Sequence, residues 1–437
     1  MKANKLFLVI FAVAVTSCYF FPFVPAVLPQ ANSKMILAVV GLVLLGINLT
    51  KKSNASVDHD FLNLTIWAFT ISLISFISVT LNHTQDNTFT TYFMSMWVWL
   101  GGAYAVVSLI KAIHGGISVP LIVNYLIAVC IIQCILALIF DSNTTAEDWH
   151  ERIFAGEGYM GNTDESRMHG IGCSLDVAGF RFAAVICMSA FLLCREYGKK
   201  SSLVLIFYLI AICFVTIVGN MISRSTGVGS VIALVYIILT SFVKRENNKL
   251  LLHLFLFAVC TSMICVYLYN IDVNFRDNIR FGFEGFFSLA ETGEWQTNSN
   301  NILKDMVVWP NNFKTWIIGD GYFDNPTVAN TMSFDQYYIG PSFNGYYMNT
   351  DIGYLRYIFY FGVFGLIAFS LFLIQTCKIC MNRFKTFSLM FLLVLTLNFI
   401  EWFKVSTDLF VVFAPFLCIS AKENDEYIIQ SETLEKA

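Results

Sequence analysis

The chain has 437 residues, of which 57% are hydrophobic and only 13% are charged, and its mean hydropathy is +0.66. Because this small number of charged side chains cannot cover the surface of a water-soluble domain, the composition excludes soluble globular proteins. It predicts an all-α polytopic membrane protein. The formal net charge of −3 and the lack of a basic tract in the sequence give no indication of a nucleic-acid partner.

Apolar stretches long enough to cross a lipid bilayer as helices recur along the whole chain. The sequence predicts twelve membrane-spanning helices, at 6–28, 34–50, 61–81, 91–110, 119–140, 170–194, 201–219, 226–243, 250–269, 353–376, 386–401 and 405–421. The first stretch follows Lys2 and Lys5 but has no small-residue cleavage site, so we expect it to be retained as a helix.

The distribution of Lys and Arg predicts the orientation, because short cytoplasmic loops retain positive charge. Placing the N-terminus inside puts most of the 27 basic residues on cytoplasmic loops and tails. The chain then divides into helices 1–9 at 1–269, a large outer loop at 270–352, helices 10–12 at 353–421 and a cytoplasmic tail at 422–437.

Two charged residues stand inside the predicted sixth span, where a charge needs a partner or a polar cavity. Asp176 and Arg181 are five residues apart, which places them about 140° apart around a helix. We therefore expect each to find its partner on another helix. An ion-pair network between helices is the alternative to a ligand site. Arg167 precedes Gly170 at the entry to this span, where free backbone amides and a guanidinium suit an anion.

Further arginines lie near the same predicted surface. Arg224 stands in the polar break between two spans, Arg276 and Arg280 are spaced to share one helix face, and Arg356 follows Asp351 at the start of the tenth span. Helix capping and interfacial snorkelling are the simpler alternatives. Because arginine is planar and permanently charged, we expect these groups to meet in one recess that holds a lipid-linked diphosphate.

The large outer loop is rich in aromatic, Asn, Asp and Gly residues. Short amphipathic helices are predicted at 276–290 and 299–308, and the Asp-Gly and Asn-Gly pairs at 320–321 and 344–345 predict turns. Aromatic faces beside polar side chains suit sugar rings, although Trp and Tyr also line membrane interfaces. The candidate sugar contacts are Asp320, Tyr354 and Trp316.

Three stretches resemble the superfamily of O-antigen and capsule polymerases (Wzy-type) and O-antigen ligases. They are the Arg-x-x-Gly entry at 167–180, Ser223-Arg224 opening the eighth span, and 349–365 after the large loop. Ligases typically begin the third stretch with a histidine where this chain has Asp351, which favours a polymerase. The polymerase pattern of Arg, ten residues and Gly is met by no arginine of this sequence.

The resemblance implies a GT-C-like fold that acts on undecaprenyl-diphosphate-linked oligosaccharides at the periplasmic face of a bacterial inner membrane. A polymerase would transfer the glycan from its carrier onto a sugar hydroxyl of another lipid-linked repeat unit. The alternatives are a ligase that transfers polymer to lipid A core, another lipid-linked glycosyltransferase, and a transporter of lipid-linked oligosaccharide. A Wzz-type chain-length regulator and a Wzx-type flippase are the implied protein partners.

Within this interpretation, Asp351 is the first candidate for the base that activates the acceptor hydroxyl, with Asp176 and Asp320 as alternatives. Arginines would stabilise the charge on the leaving diphosphate, with Arg224 the leading catalytic candidate. The predicted diphosphate contacts are Arg167, Arg181, Arg224, Arg276, Arg280 and Arg356. Because these groups neutralise the diphosphate, we expect no metal and no cofactor.

Overall fold

The computed structural model of the protein describes residues 2–51, 59–154, 168–198, 201–243, 248–326, 338 and 345–436. Within these ranges the regular structure is helical, and the only β-type pairings are isolated bridges between Gly170 and Cys173 and between Asp324 and Tyr346. The helices, in chain order, are α1 (Lys2–Phe20), α2 (Ser33–Lys51), α3 (His59–Asn82), α4 (Tyr92–His114), α5 (Val119–Ser142), α6 (Thr144–Ile153), α7 (Leu175–Glu196), α8 (Ser202–Ile222), α9 (Thr226–Val243), α10 (Asn248–Ile271), α11 (Val273–Gly282), α12 (Glu284–Thr292), α13 (Asn298–Asp305), α14 (Phe313–Ile318), α15 (Gly353–Arg383), α16 (Ser388–Glu401), α17 (Phe410–Leu417) and α18 (Ala421–Lys436).

Nine helices in the described part of the chain are long and apolar enough to cross a membrane. They are α2, α3, α4, α5, α7, α8, α9, α10 and α15. A helix bonds its backbone polar groups to one another, as a lipid environment requires, and the fold is that of a multi-pass membrane protein.

The three other predicted spans have shorter helices than expected. Helix α1 ends at Phe20, because the chain leaves the helical conformation ahead of Pro22. The last two predicted spans form α16 and α17, and residues 402–409 between them are not helical. This irregular segment carries Lys404 and Ser406 to one end of the bundle.

The helices alternate in direction, so that charged contacts gather at two opposite ends of the bundle. The ion pairs at one end include Lys111–Glu423 and Arg383–Asp60; those at the other end include Arg224–Glu284, Arg280–Glu291 and Arg356–Asp324. We refer to these as the Arg383 end and the Arg356 end.

Helix α7 is the centre of the bundle. In its membrane-spanning stretch 94% of the residues are buried within the protein, whereas only 6% are buried in the corresponding stretch of α10, at the periphery. Small residues allow the close packing, since a Cβ atom at Gly229 of α9 would lie 2.4 Å from the Cα atom of Ala183. Asp176, in the first turn of α7, is therefore held near the middle of the Arg356 end.

Helix α15 is kinked near its start. Phe361 and Gly362 depart from helical geometry, and Gly362 has a φ of 69°, which glycine adopts without strain. A Cβ atom at Gly362 would also lie 2.1 Å from the carbonyl oxygen of Ile317, so the α14 segment packs directly against the kink. The kink sets the first two turns of α15, which carry Arg356, apart from the rest of the helix.

The predicted outer loop contains helices α11 to α14. The predicted helix at 276–290 is divided at Phe283 into α11 and α12, and the one at 299–308 corresponds to α13. Gly321 has the left-handed φ of 74° that the predicted Asp-Gly turn requires, and residue 344 of the second predicted turn lies outside the described residues. A second, small apolar core anchors the loop to the start of α15; it comprises Tyr322, Tyr338, Tyr347, Ile352, Leu355 and Phe359.

Candidate functional site

Asp176 obtains its partners from other segments, as its position in the helix predicted. Its Oδ1 atom accepts hydrogen bonds from the hydroxyls of Ser223 at 3.0 Å and Ser225 at 2.8 Å, both in the turn between α8 and α9. The ammonium of Lys404 lies 3.1 Å from the same oxygen. One carboxylate thus joins α7, the 223–225 turn and the irregular segment that precedes α17.

Arg356 is the most deeply buried cation among the ion pairs at this end, with only 7% of its side chain exposed. Its Nη2 atom lies 2.5 Å from Asp324 and its Nη1 atom lies 3.5 Å from Asp351. Nη1 also donates to the hydroxyl of Ser406 at 2.9 Å. The guanidinium stacks on the ring of Phe323, with 3.7 Å from Cζ to the ring centroid.

Asp351 lies just ahead of α15, and 20% of its side chain is exposed. Burial raises its pKa to about 7, and the nearby charges of Asp176 and Asp324 act in the same direction against the opposing effect of Arg356 and Lys404. A carboxyl group with this pKa exchanges a proton near neutral pH, which is the property expected of a general base.

Several buried polar atoms around this site have no hydrogen-bond partner among the residues that the structure describes. They include Nε of Arg356, Oδ1 of Asn349 and Oγ1 of Thr350. Such atoms are rare in folded proteins because they forfeit solvation without compensation. Their concentration next to Asp351 is typical of a site that completes its hydrogen bonds with a ligand.

We define the Arg356 cluster as Arg356, Asp351, Asp324, Asp176, Lys404, Glu401, Tyr346, Ser223, Ser225 and Ser406. The guanidinium of Arg356 lies 4.6 Å from the ring centroid of Tyr346. Burial raises the pKa of Tyr346 to about 12, so its hydroxyl stays protonated and can donate a hydrogen bond at neutral pH.

Arg181 lies outside this cluster. Helix α7 begins at Leu175, later than predicted, so Arg181 is only six residues inside the helix, or about 9 Å from its start. Its guanidinium donates to the carbonyl oxygen of Phe20 at the end of α1 and lies over the rings of Phe21 and Trp99. These contacts give Arg181 a structural role in packing α7 against the end of α1. Arg167 lies outside the described residues.

Arg224 and Arg280 line a different feature, a cavity of about 1240 Å³. Arg224 is paired with Glu284, and Arg280 binds both carboxyl oxygens of Glu291 at 2.8 and 3.1 Å. The described lining residues include six carboxylates: Asp141, Glu147, Glu151, Asp277, Glu284 and Glu291. We call this space the acidic cavity.

Arg276 and Arg280 lie on α11, so the predicted helical spacing of these two residues is confirmed. Both approach Tyr269 of α10: Arg280 donates to its hydroxyl at 3.1 Å, and the Arg276 guanidinium lies 5.8 Å from its ring centroid. The two side chains therefore do not form a pair that is directed toward the Arg356 cluster.

The expectation that the arginines meet in one recess is therefore wrong for those that the structure describes. Arg181 is directed toward α1, Arg224 and Arg280 toward the acidic cavity, and Arg356 toward the cluster. The physical reason is that each guanidinium has partners in its own surroundings, which are carboxylates, backbone carbonyls or aromatic rings, and spacing along the sequence does not reveal them. The cluster and the cavity are nevertheless adjacent, because Ser223 and Ser225 face one and Arg224 faces the other.

The three predicted sugar contacts are engaged within the fold. Asp320 accepts hydrogen bonds from Thr315 at 2.6 Å and Tyr347 at 3.2 Å. The indole of Trp316 donates to the carbonyl oxygen of Pro310 at 3.1 Å, and the hydroxyl of Tyr354 donates to that of Phe399 at 2.9 Å. These contacts stabilise the loop and the helix packing and leave the proposed sugar role without geometric support.

The sequence interpretation gave no role to Lys404, Asp324, Glu401 or Tyr346, although all four belong to the cluster. Glu401 and Lys404 carried a usable signal, because they place opposite charges at the adjoining ends of two predicted spans. Asp324 and Tyr346 are joined by a β-bridge within the loop, and only the folded loop brings them to Arg356.

Comparisons of this chain with protein-family models, curated proteins and solved structures give no match.

Proposed function

We propose that the protein is a polysaccharide polymerase that transfers an undecaprenyl-diphosphate-linked glycan onto a sugar hydroxyl of another lipid-linked repeat unit. The observation that supports this function is the Arg356 cluster. It combines a buried guanidinium whose Nε donor has no partner among the described residues, a second cation at Lys404 and a carboxyl group of pKa about 7, all at one end of an apolar bundle. Substrates anchored in lipid reach such a site directly from the membrane.

The proposed reaction is a substitution at the anomeric carbon of the donor sugar. The acceptor hydroxyl oxygen forms a bond to this carbon while the bond from the carbon to the diphosphate oxygen breaks. The electron pair of the broken bond leaves with the lipid diphosphate, and the hydroxyl proton passes to a carboxylate. No oxidant or reductant takes part.

Asp351 is the proposed acceptor of that proton. Its raised pKa makes it a stronger base than an ordinary aspartate while leaving about half of it ionised at neutral pH. Asp176 is less suited to this role, because Lys404 and two serine hydroxyls already occupy its Oδ1 atom. We assign Asp176 the role of positioning Lys404.

Arg356 and Lys404 are the proposed contacts of the diphosphate. Arg356 is paired with Asp324, whose side chain is 48% exposed on the loop. A diphosphate oxygen can take the place of this carboxylate and can also accept a hydrogen bond from Nε, which has no partner among the described residues. Preorganised donors of this kind stabilise charge as it develops on a leaving group.

The finer architecture belongs to the same proposal. We infer twelve spans in a GT-C-like arrangement, with α1, α16 and α17 completing the nine long helices. The Arg356 end faces the periplasm of a bacterial inner membrane, where a Wzx-type flippase supplies the substrate and a Wzz-type regulator sets the chain length.

The test is polymer formation by the purified protein in nanodiscs supplied with its lipid-linked repeat unit. We expect a ladder of polymers together with released undecaprenyl diphosphate, and neither product from Asp351→Asn. The matched control is Arg383→Lys, at the other end of α15, which should retain the ladder. Transfer of preformed polymer to lipid A core without chain growth would favour a ligase. Movement of the lipid across the bilayer without a new glycosidic bond would favour a transporter.

A further inference from the structure

The acidic cavity has a composition that the proposed diphosphate chemistry does not use. Besides carboxylates, its polar lining includes side-chain amides, such as those of Asn274, Asn278 and Asn301, and hydroxyls, such as those of Ser288 and Thr297. Amide and hydroxyl groups both donate and accept hydrogen bonds, which matches the hydroxyl groups of a carbohydrate. At about 1240 Å³ the cavity exceeds the roughly 300–1,000 Å³ of typical small-molecule sites, so it has room for several sugar rings.

Both arginines of the described lining are already neutralised by carboxylates of the same lining. Arg224 pairs with Glu284, which also accepts a hydrogen bond from the backbone amide of Asn298 at 3.1 Å. Arg280 is held by both carboxyl oxygens of Glu291. Neither guanidinium is left for an anionic ligand without breaking a pair that already exists.

The remaining carboxylates give the described lining an excess of negative charge. Asp277 is exposed on α11, and Glu147 and Glu151 lie on α6 on another wall of the cavity. Asp141 accepts two contacts of 3.0 Å from the side-chain amide of Asn278, which orient it without neutralising it. An anionic sugar placed here would be repelled from more than one side.

The turn at 223–225 connects this cavity to the Arg356 cluster. The hydroxyls of Ser223 and Ser225 bind Asp176 in the cluster, whereas Arg224 between them lines the cavity. A lipid-linked oligosaccharide whose reacting end lies at Asp351 therefore has this cavity beside it for its remaining sugars.

We propose that the acidic cavity binds the oligosaccharide portion of the substrate and selects repeat units whose sugars are neutral or carry amino groups, excluding acidic sugars. This inference rests on the proposed function for the identity of the substrate. Its basis is the geometry and charge of a second space, distinct from the groups that carry out the transfer.

The test measures binding of three oligosaccharides of equal length to the protein in nanodiscs by calorimetry: tetramers of N-acetylglucosamine, glucosamine and galacturonic acid. We expect the first two to bind and the galacturonic acid tetramer to bind about tenfold more weakly or not at all. The double variant Asp277→Asn/Glu151→Gln should reduce this preference at least severalfold. The matched control Asp305→Asn/Asp148→Asn changes two exposed carboxylates that do not line the cavity, and it should leave the preference unchanged.

Equal or tighter binding of the galacturonic acid tetramer would overturn the inference, as would failure of all three sugars to bind. Asp351→Asn separates this result from the proposed function. It should abolish polymer formation and leave sugar binding intact. If the wild-type protein forms polymer but shows no charge-selective sugar binding, only the role of the cavity is contradicted. If Asp351→Asn binds sugar and still forms polymer at the wild-type rate, only the proposed mechanism is contradicted.

Discussion

Helix α15 carries one arginine near each end, and the two are engaged in different ways. Arg383 donates to the carbonyl oxygens of Leu417 at 2.7 Å and Ile419 at 3.1 Å, and it pairs with Asp60 at 2.6 Å. It thus caps the end of α17 and ties it to the start of α3. Arg356 contacts two carboxylates, a serine hydroxyl and, at 3.3 Å, the carbonyl oxygen of Phe323, and its Nε donor has no partner among the described residues.

This difference separates a structural arginine from a candidate functional one. Backbone carbonyls are fixed partners, so a ligand cannot replace them without unravelling α17. The carboxylate of Asp324 is half exposed on a loop and can be exchanged for a phosphate oxygen. Burial alone does not distinguish the two cases, since Arg383 is 13% exposed and Arg356 is 7% exposed. Arg356 is distinguished by its second carboxylate partner, Asp351, and by an Nε donor that has no partner in the described part of the chain.

The largest expected effect follows from removing the proposed base. Asp351→Asn keeps the shape of the side chain and abolishes its basicity, so we expect kcat to fall about 10³-fold. The measurement is the rate of polymer formation in nanodiscs, with the yield and melting temperature of the protein recorded beside it. A variant that folds normally and keeps more than a tenth of the activity would contradict the assignment.

The two arginines of α15 provide a direct comparison. Arg356→Lys retains the charge but loses the planar set of donors, and we expect kcat to fall about 10²-fold with little change in melting temperature. Arg383→Lys should change kcat less than threefold and lower stability by about 1–3 kcal/mol, because it removes hydrogen bonds of a charged group. Thermal unfolding and initial rates on the same preparations check both values. The reverse pattern would transfer the functional role to the Arg383 end.

The pH dependence sharpens the role of Asp351. Because a base acts when deprotonated and the pKa of Asp351 is raised to about 7, kcat/KM should fall about tenfold per pH unit as the pH decreases below 7 and level off above it. Lys404→Met removes a positive charge that lowers this pKa, so the midpoint should move to higher pH. A rate profile that is flat between pH 5 and 8 would exclude Asp351 as the base.

Among the residues proposed for catalysis from the sequence, we expect a smaller effect at Arg224 than at Asp351 or Arg356. The sequence alone made this residue the leading catalytic candidate, but the structure pairs it with Glu284 at the wall of the acidic cavity. We expect Arg224→Ala to reduce activity less than tenfold, and Arg224→Ala/Glu284→Ala to recover part of the loss because no unpaired charge remains. Complete loss of polymer in the single variant, without recovery in the double variant, would restore Arg224 to the transfer site.

The sequence was sufficient for the class of fold. Long apolar stretches have one stable solution in lipid, so nine of the twelve predicted spans correspond to long helices. The sequence was insufficient where a span is interrupted. Residues 402–409 leave the helix between α16 and α17, and Lys404 and Ser406 within them reach the candidate site only because of that interruption.

The candidate site shows the same division. Asp351 was proposed because the resemblance places a histidine at this position in ligases, and Arg356 because it lies near the predicted outer surface. The structure places the two side chains 3.5 Å apart. The charge of the other arginines and their depth in the predicted spans did not predict which of them lie beside Asp351 and Arg356. A guanidinium binds the nearest unsatisfied acceptor. For Arg181 this is the carbonyl oxygen of Phe20, and for Arg224 it is the carboxylate of Glu284; both acceptors lie in segments that are distant in sequence.

The most direct test of the proposed function is a cryo-EM structure in nanodiscs with a non-hydrolysable phosphonate analogue of the lipid-linked substrate. We expect the phosphorus-bearing group to lie within hydrogen-bonding distance of Arg356 and Lys404, with Asp324 displaced and Asp351 facing the anomeric carbon. Density for this group in the acidic cavity, or at the Arg383 end, would contradict it.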